Sequence, residues 1–586
     1  MRKSIWSFTF GVFAISLALS GCRDETHPNV ILISLDTLRA DHLGCYGYSR
    51  PTSPFLDELA GRGTLFETAL VQVPGTLPSH MSIFTGLYPN EHGVFPPDGA
   101  LPSRIPTLPE TLRSAGYTTA GFTEGGYVSG HYGFERGFDF FDDKVPQRCN
   151  DIELVFSRGL DFLQKQTPSR PFFLFLHSYA IHDPYFPPLP YTTLYTENLP
   201  PPSSFEDRFA FFRYPELPLV TQKREKGHER IQGATLAFIK DGLPPGVDLP
   251  TGSILYAKNR ENTGEVSPEA LAIYTALYDA SINYADDVLR AFWGSLEKLQ
   301  LLDNTIIVVT SDHGEEFLEH GKMTHGQIYQ ECLRVPLIIL TPQDVGRRRI
   351  ADIVRSIDLA PTIFDLTGVV APARMTGVSL TPLMQGTGTW DRLESYARDA
   401  GNTNQSLHAR DHRLLQAVLH LSEGKGLGDW HTRTAELATE SSDIRFRAMS
   451  FYTNREVEVL VNDAHLTTLE LTPKWEHFSL KVDGGPAKRT FLFRTPGCTA
   501  PAEIRDSDDH RCLSFRIADF PQERVELFDL STDPTGTTDI MDADPEAGSD
   551  MTRRMKAYDV PPIVQGSTVD LSPEEIERLK ALGYMQ

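Results

Sequence analysis

Asn29-Val-Ile-Leu-Ile-Ser-Leu-Asp36 is an almost unbroken apolar run that ends in a carboxylate. A strand buried on both faces reads this way, because helices cover both sides of it and no solvent-facing positions interrupt the run. Phe172-Phe-Leu-Phe-Leu-His177, Thr305-Ile-Ile-Val-Val-Thr-Ser-Asp312 and Pro336-Leu-Ile-Ile-Leu340 carry the same pattern, which predicts buried parallel strands there too. Between them, Ser53 to Arg62, Thr107 to Ala115, Asp151 to Gln164 and Pro268 to Leu301 have helical spacing. Strands alternating with helices predict an α/β fold with a doubly wound, mostly parallel sheet. Ligands of such sheets bind beyond the carboxyl ends of the strands, so Asp36 and Asp312 should project into one crevice.

The chain has 586 residues, enough for two or three domains, and a formal net charge of -23. That charge argues against nucleic acid as a partner, since phosphate backbones demand a basic footprint. An anionic substrate would have to be held by local cations or a metal ion.

Arg2 and Lys3 precede an apolar run from Ile5 to Leu19 that is short for a membrane span. Leu19-Ser20-Gly21-Cys22 follows and looks like a bacterial lipobox. Residues 1–21 are therefore expected to be a signal peptide, with Cys22 acylated and 22–27 a linker. The implied location is the cell envelope, and Arg23 after the cysteine favours the outer membrane. Cys498 and Cys512 flank a polar loop and could pair in an exported protein, whereas Cys45 and Cys332 lie in apolar surroundings that suit buried thiols.

Residues 187 to 266 show little periodicity and read as a lid or pocket wall. Near residue 415 the texture changes to period-two alternation, as in Glu456-Val-Glu-Val-Leu-Val, with a turn expected at Asn462-Asp463. We expect an inserted antiparallel β unit over 415–522, sandwich-like, before 523–586 returns to the main domain and ends in a helix capped at Ser572.

Four segments carry the chemistry. Asp36 can offer oxygen to a hard cation. Thr76-Leu-Pro-Ser-His80 places a hydroxyl at or just before a helix start, because proline is tolerated only in the first turn. There the amides and the helix dipole favour negative charge. His80 falls four residues on, on the same helical face. His182 is a candidate acid or anion-binding group. Asp312 and His313 supply an oxygen and a nitrogen ligand, with Lys322 and His325 close behind.

Together these segments, with Arg334-Val-Pro-Leu-Ile338, Ser356-Ile-Asp-Leu-Ala-Pro-Thr362 and Leu527-Phe-Asp-Leu-Ser-Thr-Asp-Pro534, resemble the sulfatase branch of the alkaline-phosphatase-like superfamily. The resemblance covers 28–414 and 523–586. It implies that Asp36, Asp312 and His313 bind one divalent ion (calcium, manganese or zinc), with Thr76 completing the sphere and attacking the ester. It also implies that His182, His325 and Lys322 hold the anionic oxygens or protonate the leaving oxygen. The sequence departs from the family pattern at Thr37, where many members have a second aspartate, and at His313, where asparagine is usual. It departs again in the pentad, where threonine replaces cysteine or serine and His80 replaces arginine. Formylglycine forms from a cysteine or serine CH2. Threonine carries a methyl there, so no formylglycine is expected.

The resulting expectation is a metal-dependent hydrolase of sulfate or phosphate esters that uses a direct hydroxyl nucleophile and acts on a glycan- or lipid-linked anion. A phosphodiesterase or phospho-head-group transferase uses the same residues. A lipid-anchored protein that binds a sulfated or phosphorylated glycan without cleaving it is the reading from another class.

Overall fold

A computed structural model describes residues 27–144, 151–199 and 268–422 with short breaks, and parts of 430–579. Its centre is an eight-stranded sheet of β1 (Asn29–Leu35), β2 (Thr64–Leu70), β3 (Thr118–Phe122), β4 (Phe140–Asp142), β5 (Phe172–Ser178), β6 (Thr305–Thr310), β7 (Arg334–Leu340) and β8 (Arg348–Arg355). The strand order is β8-β2-β7-β6-β1-β5-β3-β4. All neighbours are parallel except at β7, which runs antiparallel to both β2 and β6.

Side chains of β1 alternate between two cores. Val30 and Leu32 pack with α2 (Thr76–Thr85), α3 (Leu108–Ser114) and α6 (Leu359–Thr367) through Leu77, Met81, Leu108 and Phe364. Ile31 and Ile33 pack on the opposite face with α1 (Pro54–Arg62), α4 (Ile152–Leu163) and α5 (Pro268–Lys298) through Leu56, Val155 and Leu289. This is the doubly wound arrangement that the apolar runs imply. Pro336–Leu340 corrects the expected direction, since it is buried but antiparallel. An apolar run reports burial on both faces and says nothing about strand direction. The remaining strands are less apolar: β2 is interrupted by Glu67 and β8 is an edge strand with three arginines, so neither stands out by composition.

A second sheet is antiparallel and joins Glu394–Arg398, Asn404–Arg410, Leu414–Ser422 and Gln522–Asp529. Leu414–Ser422 thus pairs with the returning strand, from Leu415 opposite Asp529 to Ser422 opposite Gln522, although its sequence texture groups it with the insertion. Period-two alternation is shared by both antiparallel units, which is why it does not mark the boundary. Between those strands lie two four-stranded antiparallel sheets, spanning Trp430 to Ala518. They close over a separate core of Ala448, Val457, Val459, Leu480, Phe491 and Phe493, so the unit is a β-sandwich. One of its hairpins turns at Asn462, in the left-handed region (φ 49°), where Val461 pairs with Ala464. Residues 1–26 and 200–267, the cysteines Cys22, Cys498 and Cys512, and most of the helix expected after Ser572 lie outside the described residues. Among the described residues no helix is long and apolar enough to cross a membrane.

Two core histidines give the fold a dependence on pH. His92 accepts a hydrogen bond on Nδ1 from the Val94 N–H at 3.1 Å, and His408 Nε2 lies 2.8 Å from Gln330 Oε1. Burial pushes both pKa values down to about 3, from an ordinary 6.5. Below pH 6.5 the unfolded chain binds protons that the folded chain refuses, so this stability is complete above 6.5 and is lost as pH falls toward 3. The urea midpoint is expected to drop between pH 7.5 and pH 5.5. An unchanged midpoint would show that these imidazoles accept protons inside the folded protein.

Candidate active site

The register of the central strands builds the site. Ser34 of β1 lies opposite His177 of β5 and Thr310 of β6, so the residues just beyond these strands meet at one end of the sheet. Asp36, Asp312 and His313 are there and fully buried. One ligand atom from each lies within 4.8 Å of the others. His313 Nε2 is 3.5 Å from Asp312 Oδ2 and 3.9 Å from Asp36 Oδ1.

The backbone around these groups is tightly specified. Thr37 adopts φ 58°, a conformation that a β-branched residue rarely takes. Its hydroxyl donates to the Asp36 and Ile181 carbonyls at 2.8 and 2.9 Å, and its carbonyl accepts from the Tyr278 hydroxyl at 2.7 Å. Thr37 therefore holds the turn that aims Asp36 and supplies no second carboxylate. On the other strand, a Cβ at Gly314 would lie 1.9 Å from the Glu331 carbonyl oxygen, so only glycine allows this close approach. Nδ1 of His313 donates to the Gly314 carbonyl at 2.9 Å, which leaves the Nε2 lone pair toward the two aspartates.

Thr76 is the first residue of α2, and Gly75, in extended conformation, occupies the cap position. Pro78 sits in the first turn as the sequence requires. The Ser79 hydroxyl donates to the Asp312 carbonyl at 2.6 Å and pins the start of α2 to the end of β6. Thr76 Oγ1 then lies 3.2 Å from His313 Nε2. His80 is buried beneath it, with Nδ1 donating to the Thr76 carbonyl and Nε2 accepting from Ser34, both at 2.9 Å. Burial lowers its pKa, so it stands there as a neutral prop.

Whether these residues fit a cation can be judged from their own atoms. Asp36 Oδ1 and Asp312 Oδ2 are buried and have no hydrogen-bond partner among the described residues. Burial, and then the neighbouring Asp312 carboxylate, raise the Asp36 pKa well above the ordinary range. Burying two carboxylates together costs on the order of several kcal/mol each unless a cation compensates. Two oxygens and one imidazole nitrogen, aimed at one point, suit a divalent ion. The residues fit.

The expected acid groups separate. His325 and His182 stand side by side with ring centres 5.1 Å apart, and His325 is 4.4 Å from the His313 ring. Burial, and then His325, push His182 down to about 3, and its Nδ1 faces the Asp183 carbonyl. Lys322 is exposed in the hairpin between Glu316–Phe317 and Met323–Thr324. Its N–H donates to Glu316, and no described contact brings its side chain to the cluster.

The Sulfatase family profile matches residues 28–369, over half of the chain. The chain belongs to the sulfatase family. This sulfatase-family hydrolase is 26% identical over 415 residues to N-acetylglucosamine-6-O-sulfatase of Bacteroides thetaiotaomicron, covering 64% of this chain and 74% of that one. It is 26% identical over 422 residues to an arylsulfatase of Clostridium perfringens, covering 62% and 80%. Among solved structures it superposes on a protein in complex with its substrate D-glucosamine-2-N,6-O-disulfate, with TM-score 0.55 and 17% identity over 91% of this chain and 97% of the other. Phosphonate monoester hydrolase of Agrobacterium radiobacter gives TM-score 0.55 and 18% identity over 90% and 95%. These two superpositions establish the shared fold.

Two site residues of this sulfatase-family chain escape the sequence reading. His177 lies within β5, with Nε2 3.2 Å from Asp36 Oδ2, where it turns the other carboxylate oxygen toward His313. Glu315 is buried next to the Asp312-His313-Gly314 run and 3.1 Å from His325. A histidine closing a strand that pairs with β1 is the signal that could have found His177. Nothing in the sequence ties residue 315 to residue 325.

Proposed function

We propose that this protein hydrolyses sulfate or related phosphate esters with the Thr76 hydroxyl as nucleophile and without formylglycine. The observation that carries this reading is Thr76 Oγ1 at the amide end of α2, 3.2 Å from His313 Nε2 and beside the paired buried carboxylates. Asp36, Asp312 and His313 would hold a divalent ion, which would lower the pKa of the hydroxyl so that its proton is lost to solvent. The α2 amides stabilise the resulting charge on Oγ1. Thr76 then attacks sulfur or phosphorus in line, and water cleaves the resulting ester of Thr76. The threonine methyl supports the absence of formylglycine, and so does the buried His80 in place of an arginine.

By their names the relatives act on a sulfated sugar, aryl sulfates and phosphonate monoesters, which supports an anionic ester carried on a glycan as substrate class. The Leu19-Ser20-Gly21-Cys22 stretch supports attachment to the cell envelope through a lipid on Cys22. Parallel assays of the purified protein on an aryl sulfate, a phosphate monoester and a phosphodiester test the reading, together with the mass of the peptide that contains Thr76. At least one ester is expected to turn over while that peptide keeps its unmodified mass. A modified mass would defeat the direct-hydroxyl mechanism. Binding of a sulfated glycan with no ester turned over would favour a non-catalytic protein.

A further inference from the structure

Resting on that ester-hydrolase reading, we infer that the Arg398 guanidinium is a subsite for a second anionic group of the substrate, such as a further sulfate on the same glycan. Three arginines are buried among the described residues: Arg39, Arg355 and Arg398. Arg39 pairs with Asp41 at 2.7 Å and with Glu319 at 2.6 Å, and Arg355 pairs with Asp358 at 2.7 Å. Arg398 is the exception. It is 7% exposed, makes no ion pair or side-chain hydrogen bond among the described residues, and its Nε is sealed from solvent without a partner. The acids nearest to it in the chain are engaged elsewhere. Glu394 holds Arg554 at 2.5 Å and also the Tyr558 hydroxyl, and Asp399 accepts from the Asn404 amide at 2.7 Å.

A buried carboxylic acid or lysine can become neutral, but an arginine keeps its proton in any protein environment. An isolated charge in the interior is strongly destabilising unless an opposite charge meets it. The described residues supply none to Arg398, so its partner comes from outside the chain. A guanidinium presents a planar fork, and sulfate, phosphate and carboxylate oxygens match it with two parallel hydrogen bonds. Gln405 stands directly opposite Arg398 on the neighbouring strand Asn404–Arg410 and is buried too. Opposed residues share a face of the sheet, so the Gln405 amide is a second donor for the same anion.

Position ties this anion to the ester. The Arg398 N–H donates to the Gln72 carbonyl at 3.1 Å, and the Gln72 amide donates to the Ser395 hydroxyl at 3.3 Å. Gln72 is fully buried and stands four residues before Thr76, a stretch that spans at most about 14 Å. The strand Glu394–Arg398 is thus stitched to the segment that delivers the nucleophile. A free inorganic anion has the right chemistry for the guanidinium as well. The nearness to Thr76 favours a charge carried by the molecule whose ester Thr76 attacks.

The test begins with the thermal midpoints of the full-length protein and of Arg398→Met, in chloride and in sodium sulfate at equal ionic strength. Sulfate should raise the wild-type midpoint more than that of Arg398→Met. In chloride Arg398→Met should melt no lower than wild type, because it removes a buried unpaired charge. Affinities for a singly and a fully sulfated heparin disaccharide are then compared in the Thr76→Ala protein, which leaves a bound ester intact. Adding Arg398→Met should cut the preference for the fully sulfated sugar by about tenfold or more, the worth of hydrogen bonds between charged groups. Arg398→Lys should recover only a small part of it, since an ammonium keeps the charge and loses the fork. An Arg398→Met protein that melts well below wild type in chloride, or equal sulfate effects on both proteins, would overturn the subsite. A sulfate effect that needs Arg398, with an unchanged sugar preference, would mark a free-anion site and overturn the assignment to substrate. Arg398-dependent sugar binding in a wild-type protein that cleaves no ester would sink the hydrolase reading and leave Arg398 as a binding site for a multiply charged glycan.

Discussion

Thr76→Ala is expected to lower ester turnover by on the order of 10^3-fold or more, roughly 4 kcal/mol of transition-state stabilisation, while the protein stays folded. The Thr76 hydroxyl faces the site chemistry through its 3.2 Å approach to His313 Nε2. Gly75 occupies the cap of α2, so the loss of the hydroxyl removes no helix cap. Alanine is a better helix former than threonine, and the pins from Ser79 and His80 to the ends of β6 and α2 remain. Thr76→Ser should keep much of the activity, since it retains the oxygen at the same place. Full turnover by Thr76→Ala under conditions where wild type is active would remove Thr76 from the mechanism.

Asp312→Asn is the second large effect. It removes one of two charged oxygens aimed at the candidate ion and leaves the rest of the pocket nearly unchanged in shape. Metal affinity should fall by more than the roughly 10- to 100-fold that loss of a supporting outer partner costs. Activity should fall with it unless metal is added in excess. Wild type is expected to melt lower after chelation, because an ion at about 100 times its dissociation constant adds about 2.7 kcal/mol to the folded state. Asp312→Asn should melt at one temperature with and without chelator. A wild-type protein whose activity and melting ignore chelation would show that the buried carboxylates serve another purpose.

Much of this site is legible in the sequence because its chemistry sits at strand ends. Apolar runs that close on Asp36 and Asp312 mark both the sheet and its reactive edge. The pentad from Thr76 to His80 marks a helix start through Pro78. Strand direction is not legible, as β7 shows, because burial on both faces produces the same residues in either direction. Nor are contacts that depend on a turn. Lys322 and His325 are neighbours in sequence, yet the hairpin sends one to solvent and the other to the cluster. The Glu315 carboxylate and the His177 imidazole act through side-chain geometry that no spacing rule encodes.

The pairing of Ser422 directly opposite Gln522 has an evolutionary meaning. Two antiparallel strands whose ends meet in this way form a hairpin, and the whole β-sandwich stands where a short turn would otherwise be. Such a splice point lets the module diverge, or be exchanged for another, without moving Asp36, Thr76 or Asp312. Substitutions in the sandwich can therefore accumulate with little cost to the sheet that carries the reactive groups, and the reverse holds as well.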